Sequence, residues 1–200
     1  MSGPKRVGVL ALQGDFEAHR KALERAGAAA VEVRSAAELD GLDGLVIPGG
    51  ESTTMLRIMK DEELMEPLAR FGRERPIFGT CAGAILLASE VSNPAQDSLA
   101  LIDMAIERNA YGRQLESAVV ELEVEPDAGL GAPKLEGVFI RAPRVTGVGG
   151  SVRVLARRGR DPVLLRQGNV LAATFHPELS AGSPVIDLFL RAVRNGSARP

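Results

Sequence analysis

The feature that most constrains the fold is an alternation of short apolar runs with helical patterns in the first half of the chain. Residues 7–12 are apolar throughout and end at Gln13-Gly14, and apolar residues at helical spacing then continue to Gly27. The same order continues through candidate strands at 31–33, 44–47 and 76–79. Apolar runs of this length are typical of strands buried on both faces, and their alternation with helices favours a parallel sheet. We therefore predict a doubly wound, flavodoxin-like α/β sheet flanked by helices in three layers.

Turns rich in small residues precede two of the predicted helices. Pro48-Gly49-Gly50 ends one candidate strand, and the next helix is predicted to have its N-cap near Ser52 or Thr53. A second helix is predicted over 82–89, directly after the strand at 76–79.

The pattern changes to short β-rich segments from about Val119 onward. Candidate strands lie at 119–124, 138–140, 152–155, 163–165 and 170–173. We predict that all five are hairpin strands that form an antiparallel extension of one sheet edge. A last helix is predicted over 185–193, after Pro184, with an apolar face that packs on the sheet.

The composition predicts one globular domain over residues 1–200, with frayed ends at 1–4 and 197–200. The chain has 200 residues, of which 45% are hydrophobic and 25% charged. A domain of this size has room for one core. The net charge of -2 provides no basic surface for nucleic acid, so no nucleic-acid partner is expected.

Cysteine usage indicates a reducing compartment. Cys81 is the only cysteine, which excludes an intrachain disulfide and a four-cysteine zinc site. The apolar run at 7–12 is too short for a secretory segment or a membrane span. We expect a cytoplasmic protein without a membrane partner.

The strongest chemical signal is the segment Gly79-Thr80-Cys81-Ala82-Gly83, between a buried strand and a helix. Glycine two residues before and after a potential nucleophile is typical of a nucleophile elbow, a strained turn that needs small neighbours. The turn also directs the N-terminus of the helix at the sulfur, which raises its reactivity. An inert, buried cysteine is the alternative, and the glycine context favours the nucleophile.

His176 and Glu178 are the best candidates for the other members of a catalytic triad. His176 follows the apolar strand at 170–173, and Pro177 fixes the backbone so that Glu178 can orient the imidazole. A turn tied down by the same two residues is the structural alternative. His19, the other histidine, is interpreted as a packing or surface residue without a catalytic role, although a structural role near the site stays open.

A tetrahedral intermediate needs hydrogen-bond donors for its oxyanion. The Gly49-Gly50 turn lies at the end of a predicted strand, where backbone N–H groups can meet the intermediate. We predict that the backbone amides of Gly50 and Ala82 form the oxyanion hole. An ordinary Gly-Gly turn is the alternative.

Six segments, in the same order, closely resemble the triad glutamine amidotransferases, also called class I. They are Leu10–Gly14, Pro48–Ser52, Gly79–Gly83, Glu107–Gln114, Val138–Pro143 and Phe175–Glu178. Within that class the segments are most similar to the glutaminase subunits of pyridoxal 5′-phosphate synthase, and the resemblance runs from about Lys5 to Phe189.

The resemblance implies which residues hold glutamine. They are Gly49, Gly50, Glu51, Arg108, Ile140 and Arg141. An arginine and a carboxylate suit the α-carboxylate and α-ammonium groups of glutamine. Solvated surface charge is the alternative for the two arginines.

The resemblance also implies the activity, namely hydrolysis of L-glutamine to glutamate and ammonia through a cysteine thioester. It implies no metal or organic cofactor, and a partner synthase subunit that takes the ammonia to build pyridoxal 5′-phosphate. Two other functions stay open from sequence: a redox or chaperone-type protein in which the elbow cysteine is oxidised, and a non-catalytic regulatory module of the same fold.

Overall fold

Helices and parallel strands alternate in the first part of the chain, and antiparallel strands dominate the rest. A computed structural model describes residues 3–110 and 117–196. The strands are β1 Arg6–Leu10, β2 Ala29–Val33, β3 Gly44–Ile47, β4 Ile77–Thr80, β5 Ala88–Ser92, β6 Ile102–Glu107, β7 Ser117–Val124, β8 Lys134–Ile140, β9 Arg144–Val148, β10 Arg153–Arg158, β11 Asp161–Gln167 and β12 Val170–Ala173. The α-helices are α1 Phe16–Arg25, α2 Ser52–Asp61, α3 Met65–Glu74, α4 Ala82–Leu87 and α5 Pro184–Gly196. Short 3₁₀ turns cover Ala36–Leu39 and Pro177–Leu179.

The main sheet has nine strands in the order β2-β1-β3-β4-β12-β11-β10-β7-β8. Its first five strands pair in parallel, in the 2-1-3-4-5 order of flavodoxin-like sheets. The remaining four pair antiparallel. This arrangement confirms the predicted mainly parallel core with an antiparallel extension.

Two predictions about individual elements are wrong in part. β12 is not an added hairpin strand, because it lies in the middle of the sheet and runs parallel to β4, with Ala173 opposite Thr80. Its four residues are all buried, as a central strand requires. The helix predicted over 82–89 ends at Leu87, because residues 88–92 form β5 in a second sheet, β5-β6-β9. α3, β5, β6 and β9 were not predicted.

The two faces of the parallel region are covered by different helices. On one face, Val7, Val46 and Phe78 pack in the same cluster as α1 and α5, and the Phe78 and Phe189 rings lie 5.6 Å apart. The opposite face packs against α2, α3 and α4 in a second cluster. Alternate residues of β3 therefore serve different layers. Within the described ranges, no helix has the length and apolar character needed to cross a membrane.

Candidate active site

Cys81 lies on the turn between β4 and α4 in a strained backbone conformation. Its φ of 49° and ψ of −106° are rarely adopted by a residue with a side chain. The flanking glycines are needed for close packing. A Cβ on Gly79 would lie 2.5 Å from the Gly83 carbonyl oxygen, and a Cβ on Gly83 would overlap the Ile47 carbonyl oxygen. The sharp turn predicted from the glycine spacing is present.

His176 and Glu178 meet at the carboxyl end of β12, beside the carboxyl end of β4. His176 Nδ1 lies 2.7 Å from Glu178 Oε1, and both side chains are buried. The backbone N–H of His176 donates to the Val138 carbonyl at 2.8 Å, and Pro177 begins a 3₁₀ turn. The turn thereby brings the carboxylate back onto the imidazole.

Gly49 brings Cys81 and His176 together. A Cβ built on Gly49 would lie 3.4 Å from Cys81 Cβ and only 2.5 Å from His176 Cε1. Both side chains therefore pack against Gly49, where no side chain keeps them apart. The proximity of Cys81 raises the pKa of the His176 imidazole.

The electrostatics of the site favour a charged His176–Glu178 pair. Burial lowers the pKa of His176, but the interactions of the imidazole with Cys81 and with the Glu178 carboxylate raise it to about 10. Burial raises the pKa of Glu178, but the neighbouring His19 and the hydrogen bond from His176 hold it at about 2. At neutral pH, the imidazole can therefore donate a proton.

Of the two interpretations of His19, as a packing or a surface residue, the buried packing role is the one that the structure shows. Its side chain is fully buried in α1, with Nε2 2.9 Å from Thr80 Oγ1 and 3.3 Å from Glu178 Oε1. Ala22 and Leu23, three and four residues later, are buried on the same face of α1. That helical spacing was the available sequence signal for an inward-facing His19.

The Gly49-Gly50 turn has a defined orientation. The Gly49 carbonyl accepts the Asp15 N–H at 3.1 Å, and a Cβ on Gly14 would overlap that oxygen. Because a trans peptide places its N–H opposite its carbonyl, the Gly50 N–H points away from Asp15. Gly50 has a φ of 156°, which favours glycine. Ala82 is the first residue of α4, so its backbone N–H has no hydrogen-bond partner within the helix.

Glu51 is the N-cap of α2, so the prediction of Ser52 or Thr53 is wrong by one or two residues. Its carboxylate accepts the backbone N–H groups of Thr53 and Thr54, at 3.0 and 2.7 Å. Burial raises the pKa of Glu51, but the hydrogen bonds from the Thr54 hydroxyl and from the two backbone N–H groups hold it at about 2. Arg108 Nη2 donates to Thr53 Oγ1 at 2.6 Å and lies 3.4 Å from Glu51 Oε1.

Ile140 and Arg141 close the other side of the site at the end of β8. The Cys81 thiol lies 3.9 Å from the Ile140 carbonyl oxygen, a weak S–H···O contact. Arg141 has a φ of 43° and an exposed side chain. Among the described residues, no hydrogen bond or ion pair engages its guanidinium, so Arg141 is available for an anion.

One open cavity of about 330 Å³ collects these groups. It is lined by Gln13, Asp15, Gly49, Gly50, Glu51, Ser52, Cys81, Ala82, Ile85, Arg108, Asn109, Ile140, Arg141, His176 and Leu179. Every predicted site residue except Glu178 lines it, and Glu178 is buried against His176. Tyr111–Gln114, part of one family-like segment, lie outside the described residues. No group of acidic, histidine or cysteine side chains in the described part of the chain is arranged to hold a metal ion.

Gln13 also lines the cavity, although no role was predicted for this residue of the family-like segment Leu10–Gly14. Its Oε1 accepts the Glu51 N–H at 2.8 Å, across the Gly49-Gly50 turn. The contact spans 38 residues of sequence. Local pattern therefore contained no sign of it.

The chain is similar to known proteins along nearly its whole length. The model of the SNO glutamine amidotransferase family matches residues 9–195. A pyridoxal 5′-phosphate synthase subunit PdxT from Solibacter usitatus is 54% identical, covering 93% of this chain and 98% of the relative. The protein of that name from Koribacter versatilis is 53% identical, covering 96% and 98%.

Two solved structures have a fold similar to that of this chain. A glutamine amidotransferase crystal structure superposes with a TM-score of 0.87 at 46% identity, covering 94% of this chain and 98% of that one. A chain in the structure of PurLQS from Thermotoga maritima has a TM-score of 0.74 at 18% identity, covering 97% and 99%. At that identity, the second likeness concerns the fold alone.

Proposed function

Because the chain belongs to the SNO glutamine amidotransferase family, we propose that it is a glutaminase that hydrolyses L-glutamine to L-glutamate and ammonia through a thioester at Cys81. The observation that carries this proposal is the single cavity in which Cys81, His176 and the open guanidinium of Arg141 face the same space. An amino-acid substrate with a reactive side-chain amide fits that combination. The catalytic domain is proposed to span residues 1–200.

The charges around the cavity suit the amino-acid end of glutamine. Arg141 has no partner among the described residues, so its guanidinium can pair with the α-carboxylate. Arg108 is held by Thr53 and, at only 12% exposure, can add a second cationic contact. The half-exposed carboxylate of Glu51 places a negative charge beside the α-ammonium group, and Gly49, Gly50 and Ile140 contribute backbone and surface to the wall. These contacts would fix the amide against the sulfur.

The reaction follows from the positions of Cys81 and His176. Cys81 Sγ, as the thiolate, attacks the amide carbon, and the C=O electron pair moves onto oxygen. The oxyanion accepts the N–H groups of Gly50 and Ala82. His176 donates its Nε2 proton to the amide nitrogen, and the C–N bond breaks. Ammonia departs, and a γ-glutamyl thioester remains on Cys81. Glu178 holds Nδ1 and balances the imidazolium charge.

Hydrolysis of the thioester regenerates the site. Neutral His176 takes a proton from water, and the resulting hydroxide attacks the thioester carbonyl. The second tetrahedral intermediate collapses as the C–S bond breaks. The γ-carboxylic acid of glutamate, the thiolate and a protonated His176 result, and the acid then loses its proton to solvent, so atoms and charge balance over the cycle.

The relatives named pyridoxal 5′-phosphate synthase subunit PdxT indicate the destination of the ammonia. In this chain we propose the same role, with ammonia delivered to a separate synthase subunit that makes pyridoxal 5′-phosphate. Free ammonia is largely protonated in water and loses its nucleophilicity, so direct delivery favours a complex. The proposed location is the cytoplasm.

Glutamate release from glutamine tests the proposal, measured for the purified chain alone and with a purified synthase subunit. We expect synthase-dependent turnover that Cys81→Ala abolishes. Glutamine binding without turnover in the complex would favour the regulatory alternative. Reversible oxidation of Cys81 without any glutaminase activity would favour the redox alternative.

A further inference from the structure

A fully buried histidine, His19, contacts Glu178 without lining the cavity. His19 comes from α1, which contacts the 3₁₀ turn that carries Glu178. Its Nε2 lies 3.3 Å from Glu178 Oε1, the same oxygen that lies 2.7 Å from His176 Nδ1. One carboxylate oxygen is therefore shared by the two histidines of the chain.

The contacts of His19 indicate which ring nitrogen carries the proton. Among the described residues, Nδ1 of His19 has no hydrogen-bond partner, and a buried N–H without a partner is costly. Nε2 faces two oxygens, those of Glu178 and Thr80. A lone pair on Nε2 would repel the carboxylate. The geometry therefore favours a proton on Nε2, donated toward Glu178 and Thr80.

We propose that His19 is a positioning residue of the glutaminase reaction, which orients Glu178 through its Nε2–H so that Glu178 can orient His176. This inference rests on the proposed glutaminase function. His19 does not line the cavity and so has no contact with substrate. Its proposed effect on the reaction passes through the carboxylate.

The carboxylate needs such a second contact. Glu178 Oε2 is buried and has no hydrogen-bond partner among the described residues, so both of the observed contacts are made through Oε1. Without His19, His176 alone would hold the carboxylate, and rotation of the carboxylate would move the imidazole. A positional error of about 1 Å at a catalytic group lowers the rate about 100-fold.

Thr80 connects the same contact to the elbow. Its hydroxyl lies 2.9 Å from His19 Nε2, and it is the residue immediately before Cys81. His19 therefore spans the two strand ends that carry the nucleophile and the carboxylate. The edge-to-face contact of its ring with Phe78 fixes the ring's orientation.

The test compares two replacements of His19 in the chain–synthase complex. His19→Met fills the space without a donor, and His19→Gln keeps an amide N–H near the position of Nε2. We expect His19→Met to lower kcat by roughly 10- to 100-fold with an unchanged KM for glutamine. His19→Gln should recover most of that loss, which a purely space-filling role of His19 would not allow.

A double-mutant cycle shows whether the effect passes through Glu178. In a Glu178→Gln background, His19→Met should change kcat by less than about twofold, because the carboxylate it positions is gone. Equal, additive losses in both backgrounds would overturn the proposal. So would wild-type kcat in His19→Met, or equal losses in the Met and Gln variants.

Leu23→Ala is the matched control for the packing of α1. Leu23 is buried one turn after His19 on the same helix and belongs to the apolar cluster in which α1 and α5 pack on the sheet. The Leu23→Ala substitution should lower the melting temperature and leave kcat unchanged. A wild-type complex with no glutaminase activity would instead refute the proposed function, so the two failures are distinguishable.

Discussion

A methyl group added at Gly49 should separate stability from catalysis. In Gly49→Ala the new Cβ would lie 2.5 Å from His176 Cε1, whereas non-bonded carbons rest about 3.5–4.0 Å apart. The imidazole must therefore move by about 1 Å. Its backbone is fixed by the Val138 carbonyl and its ring by Glu178, so the movement must weaken the contact with Cys81 or with Glu178.

We expect Gly49→Ala to lower kcat about 100-fold, equivalent to about 2.7 kcal/mol in activation free energy. Overpacking should also cost about 1–3 kcal/mol of unfolding free energy. Glutamate release by the complex and urea denaturation of the chain measure the two effects. Gly150→Ala is the control, because a Cβ at that position meets nothing within 4 Å. A Gly49→Ala kcat within about twofold of wild type would refute the steric argument.

Three further predictions concern the charged groups of the site. Glu178→Gln should lower kcat about 10²–10⁴-fold with little change in the KM for glutamine, and a lower melting temperature with normal turnover would contradict this. Because the pKa of folded Glu178 is depressed to about 2, its contribution to stability is present above about pH 4.5 and is lost as the pH falls toward 2. Urea titrations should therefore show wild type and Glu178→Gln converging in acid, and a constant difference would contradict the depressed pKa. Arg141→Met should raise the KM for glutamine about tenfold or more, and Arg141→Lys, which keeps the charge, should recover part of the loss. An unchanged KM in Arg141→Met would remove Arg141 from the binding site.

The elbow was predictable from sequence because its requirements appear as glycines at fixed positions on either side of the cysteine. Gly79 and Gly83 each face a backbone carbonyl at a distance that leaves no room for a Cβ, and both flank the cysteine at fixed spacing. Pro177 similarly shapes the short path from His176 to Glu178. These constraints require glycine or proline at particular positions, so they can be recognised in a single sequence.

The missed features depend on contacts between distant segments. β12 was assigned to a hairpin edge because it follows β11 closely, and only its pairing with β4, more than 90 residues earlier, makes it central. β5 begins directly after α4 without a turn residue between them. His19 lies 159 residues before Glu178, and no local pattern connects the two.

Trapping the acyl intermediate tests whether Cys81 is the nucleophile. The chain–synthase complex is mixed with glutamine and quenched in acid, and the chain is digested and analysed by mass spectrometry. We expect one γ-glutamyl group, attached to Cys81, that appears faster than glutamate is released and is absent from Cys81→Ala. Glutamate release without any γ-glutamyl group on Cys81, or undiminished turnover in Cys81→Ala, would contradict it.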